Sequence, residues 1–319
     1  MNRREAIGKL AATGMLSLAG VPLLAAELAE TSAADLLPKH KFVIGHRGAC
    51  AYAPENTLPS YELAIKQGVE YVEQDLQISK DGVLVCSHDT SLERVTNVAE
   101  VFPERFKEQT VKGKKAKRWM IHDFTVKELK QLDFGGRFEP KFKGVTIPTW
   151  AEAIDLIKGK AGLFPETKAP EYYGKLGFSM EKLVVEAMKK AGIEKARAGS
   201  NTPVFIQSFS KESLHKIVFD HGIKWPILWL SSANVKFDST QLKEAKTFAT
   251  AIGPSKEDVT AGLVQEAHAR GLKVVAYTFR AKDVKGYKDV SEEMSHYLYD
   301  LGVDGMFTDN PDKFPRKKV

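Results

Sequence analysis

Short apolar runs rich in β-branched and aromatic residues alternate with amphipathic stretches from residue 42 to the end of the chain, and this alternation constrains the fold most. The runs are Phe42–Gly45, Val69–Ile78, Val83–Cys86, Gly162–Pro165, Val204–Phe209, Ile227–Leu230, Thr250–Gly253, Val274–Thr278 and Gly305–Thr308. Helical patterns lie between several of them: Leu58–Gln67, Trp150–Ile157, Met180–Ala191, Lys211–His221, Val259–Arg270 and Glu292–Leu301. Strand-then-helix alternation calls for a parallel sheet. About eight such repeats in one domain call for closure. The reading is an α/β chain whose residues 35–319 form a (β/α)8 TIM barrel, with a doubly wound open sheet as the alternative that periodicity leaves open.

One junction departs from the pattern. Asp81-Gly82 is a two-residue hairpin signal, too short for a parallel crossover. The implied register sets Asp75 opposite His88. After that third strand, residues 91–147 read as an insertion subdomain with a helix at Thr125–Leu132 and a basic run, Lys112, Lys114, Lys115, Lys117 and Arg118, taken as a solvated loop.

Residues 1–34 read as an export signal. Arg3 and Arg4 precede a mildly apolar stretch, Leu10–Ala26, and small residues cluster from Ala25 to Ala34. The paired arginines resemble a twin-arginine signal, although Ala6 stands where a large apolar residue is usual. Gly14, Gly20 and Pro22 argue against a stable membrane span. The expected location is the periplasm or the exterior. The net charge of +6 favours anionic substrates without choosing among them. With two cysteines only, Cys50 and Cys86, the chain is no disulfide scaffold and matches no zinc-ligand spacing in sequence. Two small buried thiols are expected, with a single bridge between them left open.

Three clusters stand at the ends of predicted strands, where barrel sites are built. In Gly45-His46-Arg47-Gly48 the glycines permit a tight turn, His46 can move a proton near neutral pH, and Arg47 can grip a phosphate. In Glu73-Gln74-Asp75 the two acids share one face of a strand, which is costly without a cation or proton to neutralise them. Ser87-His88-Asp89 supplies a second histidine. Glu166 and Lys168 share a face of a later strand and add a carboxylate and a cation. Two histidines can serve as acid and base about a phosphorus, and carboxylate oxygens suit a hard ion, Ca2+ or Mg2+.

Taken together, His46-Arg47-Gly48, Pro54-Glu55-Asn56-Thr57, Glu73-Gln74-Asp75, Lys80-Asp81-Gly82 and His88-Asp89 resemble the glycerophosphodiester phosphodiesterase family. Pro165-Glu166-Thr167-Lys168, Gln207-Ser208-Phe209, Tyr277-Thr278-Phe279-Arg280 and Gly305-Met306-Phe307-Thr308-Asp309 extend the resemblance to the end of the chain. The Phe102-Pro103 insertion and Tyr277 look most like its bacterial periplasmic branch. The resemblance implies an acid–base pair in His46 and His88, and one divalent cation, Ca2+ ahead of Mg2+, on Glu73, Asp75 and Glu166. It implies phosphate contacts from Arg47 and Lys168, a substrate pocket lined by Gln207 and Tyr277, and a supporting role for Glu55, either anchoring Arg47 or backing the ligands. Tyr277 stands where many members carry Trp. The implied activity is hydrolysis of small glycerophosphodiesters to sn-glycerol 3-phosphate and an alcohol, with no nucleic-acid partner and no stable membrane insertion. The alternatives are a phospholipase acting on intact lipids, which needs an apolar rim such as Phe102, Phe106 and Trp119, and a non-catalytic surface binding protein on the same fold. A nuclease would rest on the basic run alone.

Overall fold

A computed structural model describes residues 32–316 apart from Lys112. The export-signal reading falls on residues 1–34 and so lies almost wholly outside the described residues. The strands are β1 (Phe42–Gly45), β2 (Tyr71–Ile78), β3 (Leu84–Cys86), β4 (Lys107–Val111), β5 (Lys114–Arg118), β6 (Gly162–Thr167), β7 (Ile206–Ser208), β8 (Ile227–Leu230), β9 (Ala251–Gly253), β10 (Lys273–Phe279) and β11 (Gly305–Thr308). Eight of them, β1, β2 and β6 to β11, pair in parallel in sequence order, and β1 pairs with both β2 and β11. The sheet therefore closes, and the chain is a (β/α)8 barrel, not an open doubly wound sheet.

Period-two alternation along these strands decides what the barrel holds. Inward-facing Phe42, Tyr71, Phe164, Phe205 and Phe307 plug its lower end as interlocked rings with centroids 4.5 to 6.1 Å apart. Gly305 makes room for this layer, since a Cβ there would stand 2.5 Å from the Phe42 ring. Two residues beyond Tyr71, Phe164, Phe205 and Phe307 the inward positions turn polar, at Glu73, Glu166, Gln207 and Asp309, and on the first strand the change comes after Ile44, at His46. The outward faces, such as Val43, Val72, Leu163, Ile206 and Met306, pack against the helices in a second core.

The helices begin where capping side chains permit. Thr149 and Glu152 form a reciprocal capping box ahead of Trp150–Ile157, and Ser179 accepts from Lys182 N at the start of Met180–Ala191. Two predicted helices end in a wider π turn, Lys216–Asp220 and His296–Asp300.

The β2–β3 hairpin corrects the predicted register by one residue. Ile78 faces Leu84, and Ser79 and Val83 flank a three-residue loop, Lys80-Asp81-Gly82, with Gly82 at φ +75°. Asp75 therefore bonds across to Ser87, not His88. A left-handed glycine closing a three-residue loop is the next commonest hairpin after the two-residue one.

Between β3 and β6 the insertion has its own core of Leu92, Val98, Trp119, Ile121, Phe124, Leu129 and Phe134. Its predicted helix is a single turn, Val126–Leu129. From Lys114 to Arg118 the basic run is not a loop. Lys114–Arg118 is a strand paired antiparallel to Lys107–Val111, and Lys117 Nζ lies 3.9 Å from the Phe106 ring centroid. Nor do Phe102, Phe106 and Trp119 form an apolar rim. Trp119 is buried and donates to Phe102 O at 2.7 Å, and both phenylalanines pack against this core. Among the described residues no helix is long and apolar enough to cross a membrane.

Candidate active site

The polar layer at the carboxyl ends of the strands opens into a cleft of about 320 Å³. Registers fix who meets whom there. Gly45 pairs with both Thr308 and Val72, Asp75 with Glu166, and Glu166 with Gln207. Residues distant in sequence thus become lateral neighbours on one ring.

Glu73, Asp75 and Glu166 are buried, and each offers an oxygen within 4.8 Å of the others. Two cations answer them. Lys168 Nζ lies 3.0 Å from Glu166 and 3.5 Å from Asp75, and Arg47 Nε lies 3.2 Å from Asp75. Burial pushes the Glu166 carboxyl up to about 7, the nearby Asp75 charge adding to the rise, and it pushes Glu73 well above the carboxylate range. Asp75 is buried too, but Lys168 and Arg47 outweigh that and hold it below the usual range. Two cations against three carboxylates would leave one negative charge uncompensated, so full ionisation of the trio calls for a further positive charge. Gln207 donates to Glu73 Oε1 at 3.0 Å, and its own Oε1 is buried without a partner, one more oxygen beside the cluster. An all-oxygen, net-anionic donor set fits a hard divalent cation.

The two histidines border the same cleft, and they are built alike. His46 Nδ1 lies 2.6 Å from Asp309 Oδ1, and Arg280 Nε donates to the other oxygen of Asp309 at 3.0 Å. His88 Nδ1 lies 2.7 Å from Asp89 Oδ1, and Arg94 Nε donates to the other oxygen of Asp89 at 2.5 Å. Each ring is thereby oriented through Nδ1, leaving Nε2 for chemistry. His46 is buried, and burial together with the adjoining Arg47 holds it below the ordinary histidine value. Both aspartates lie below the usual range: Asp89 chiefly through its bond to His88, and Asp309 because His46 and Arg280 outweigh its burial.

The remaining predicted residues fall around this core. Arg47, at φ +54°, donates its backbone N–H to Glu73 Oε2 at 2.7 Å and its guanidinium to Glu55 at 3.2 Å. Glu55 also accepts two bonds from Arg94, at 2.6 and 2.9 Å, so it anchors Arg47 and ties the insertion to the first strand–helix turn. Tyr277 borders the cleft and donates its hydroxyl to Ser231 O. Asn56, at φ +56°, donates to Asp75 Oδ2 at 2.8 Å and accepts from Asp75 N at 3.1 Å, locking that carboxylate in place. Sequence reasoning gave Asp309, Asp89, Arg280, Arg94 and Asn56 no role, although all except Arg94 stand inside the recognised motifs. Cys50 and Cys86 are free thiols, and Cys50 is half-buried at the site edge instead of buried in the core.

The profile of the glycerophosphoryl diester phosphodiesterase family matches residues 46–313. The chain belongs to that family. As a glycerophosphoryl diester phosphodiesterase family member it is an enzyme of the phosphodiester-hydrolase class. It is 32% identical to the glycerophosphodiester phosphodiesterase of Bacillus subtilis over 97% of this chain and 98% of the relative. Its identity to the Haemophilus influenzae glycerophosphodiester phosphodiesterase is 30%, over 92% and 93%. The fold is similar to an Oleispira antarctica phosphodiesterase solved in complex with the product sn-glycerol-3-phosphate (TM-score 0.67, 28% identity, covering 88% of this chain and 97% of that one).

Proposed function

We propose that this enzyme hydrolyses small glycerophosphodiesters, such as glycerophosphocholine or glycerophosphoethanolamine, to sn-glycerol 3-phosphate and the free alcohol. The observation that carries the reading is the pair of carboxylate-anchored histidines opening on one cleft with the carboxylate trio. The names of the curated relatives and the product bound to the Oleispira protein support the substrate class.

Glu73, Asp75 and Glu166 would hold one divalent cation. The family resemblance and the three-carboxylate set support Ca2+ ahead of Mg2+, which tends to keep more of its own waters. When bound, the ion supplies Lewis-acid neutralisation of charge developing on the phosphoryl oxygens. It would also turn the single residual negative charge of the cluster into a single positive one, matched to a monoanionic diester.

The chain's own groups do the rest. Arg47 and Lys168 keep Asp75 ionised and present positive charge to the phosphate. His46, held neutral and tied through Nδ1 to Asp309, takes a proton from the attacking hydroxyl at Nε2. His88, at the more open edge of the cleft, gives one to the departing alcohol. Gln207 and Tyr277 shape the pocket for the glycerol or alcohol arm. With Trp119 buried and Phe102 and Phe106 packed against the insertion core, the apolar rim that hydrolysis of intact lipid would need is not formed by these three residues.

The paired arginines at Arg3-Arg4, the apolar stretch after them and the small-residue cluster support export to the periplasm or the exterior. N-terminal sequencing of protein from the extracytoplasmic fraction tests this, and an intact Met1 there would refute cleavage.

The test of function is release of glycerol 3-phosphate from glycerophosphocholine, first with chelator and then with Ca2+ or Mg2+ restored. Activity is expected to vanish and return with the ion, and His46→Ala is expected to lose about 10²–10⁴-fold in kcat. Turnover that survives chelation, or a near wild-type His46→Ala, sinks the reading.

A further inference from the structure

A second group of ligating atoms lies beside the carboxylate trio and differs from it in chemistry. Cys50 Sγ stands 4.0 Å from His46 Nδ1, which stands 2.6 Å from Asp309 Oδ1, and each of the three residues offers a ligand atom within 4.8 Å of the others. We propose that Cys50, His46 and Asp309 form an inhibitory metal site for thiophilic divalent ions of the zinc class. Nothing in the proposed reaction uses Cys50.

Geometry supports the site first. Zinc bonds of about 2.0–2.3 Å set tetrahedral ligand atoms roughly 3.3–3.8 Å apart. The observed 2.6 and 4.0 Å separations bracket that spacing, so shifts of about half an ångström would complete it. The backbone already holds the pieces together. Ala51 N donates to Asp309 O at 3.1 Å, and His46 N donates to Thr308 O at 3.0 Å, which pins the Cys50 turn to the end of β11.

Donor chemistry supports it next. A thiolate, an imidazole and one carboxylate suit a borderline-soft ion, whereas three carboxylates suit a hard one. The two clusters thus discriminate between ions by softness as well as by position. Access is the third support. A neighbouring cavity of about 560 Å³, which shares His46, Arg47 and Arg280 with the cleft, is lined by Cys50 and Asp309 as well. It offers an entry path and room for a water as fourth ligand.

Occupancy would stop the enzyme through protonation. The Cys50 thiol would release its proton to solvent, and His46 Nδ1 would give its lone pair to the metal, so the ring would carry its one proton on Nε2. That nitrogen could then no longer accept a proton, and Asp309 would be diverted from orienting the ring. The inhibition arm rests on the hydrolytic reading; the binding arm does not.

The experiment titrates Zn2+ into full-length enzyme saturated with Ca2+, alongside Cys50→Ser, each measured relative to its own zinc-free rate. In parallel, Cd2+ binding is followed by the ultraviolet thiolate-to-metal charge-transfer band. A lost ligand costs at least what a lost outer partner does, so the zinc concentration for half-inhibition should rise at least about tenfold in Cys50→Ser. The cadmium band should appear in wild type at one ion per chain and vanish in the variant. Equal inhibition of both proteins would place the zinc effect on the carboxylate trio and overturn the proposal. So would a missing band, or one that persists in Cys50→Ser and therefore belongs to Cys86. If glycerophosphocholine is not hydrolysed at all, the functional reading fails while the cadmium titration still decides the site.

Discussion

At the residue scale, the two histidines share a construction that their sequence neighbourhoods do not: arginine, aspartate, then imidazole Nδ1. One relay is assembled from neighbours, His88, Asp89 and Arg94. The other spans the chain, joining His46 to Asp309 and Arg280 across the barrel closure. Removing the charge while keeping the shape should expose the role. Asp309→Asn is expected to lower kcat about 10–100-fold with KM little changed. It should also displace the acidic limb of the kcat/KM profile toward lower pH, because the carboxylate raises the affinity of His46 for its proton. A parallel loss in KM, or no change in the pH limb, would mark Asp309 as merely structural.

At the scale of elements, the clearest sequence signals were those that carry their own local physics. Helix Trp150–Ile157 was legible to the residue because Thr149 and Glu152 close a capping box and the apolar positions recur at helical spacing. Lys130 then reaches Glu152 at 2.6 Å, coupling this helix to the insertion. Thr149→Ala should cost about 1 kcal/mol of unfolding free energy, read as a lower urea midpoint with unchanged slope. The β4–β5 hairpin was not legible. Lys-Lys-Ala-Lys-Arg has no β-branched residue, and its strand character comes from the backbone ladder to Lys107–Val111 and from partners such as Glu108 for Lys115 at 3.4 Å. The hairpin at Asp81-Gly82 was recognised but misregistered, because a turn dipeptide does not say how many residues the loop spends.

At the scale of the whole molecule, the barrel is held closed below the site as well as at it. Asp304, buried just before β11, accepts from Lys273 at 2.9 Å and from Val274 N at 2.9 Å, and lies 2.7 Å from His268 Nε2. Burial alone would raise its carboxyl, but Lys273, the Val274 N–H and His268 outweigh it and hold it below the usual carboxylate range. A depressed folded value means the stabilisation is present above the unfolded value and lost as pH falls through the folded one. Asp304→Asn should therefore cost ~1–3 kcal/mol at neutral pH. The gap between variant and wild type should narrow as the pH falls below the ordinary aspartate range, measured by urea midpoints at pH 7 and about pH 3. A gap independent of pH would show that charge plays no part in the strut.

The sequence by itself determined the strand–helix alternation, the polar ends of the strands and the candidate residues His46, His88, Glu73, Asp75 and Glu166, because period-two alternation and short motifs are local properties. Closure into a barrel was decided by the pairing of β1 with both β2 and β11. Only the tertiary structure decided that Asp309 orients His46, that Glu55 links Arg47 to Arg94, and that Phe102, Phe106 and Trp119 turn inward. Each of those depends on which segments the barrel closure and the insertion core bring together. Such contacts are settled by packing and charge compensation across distant segments, and no local pattern encodes them.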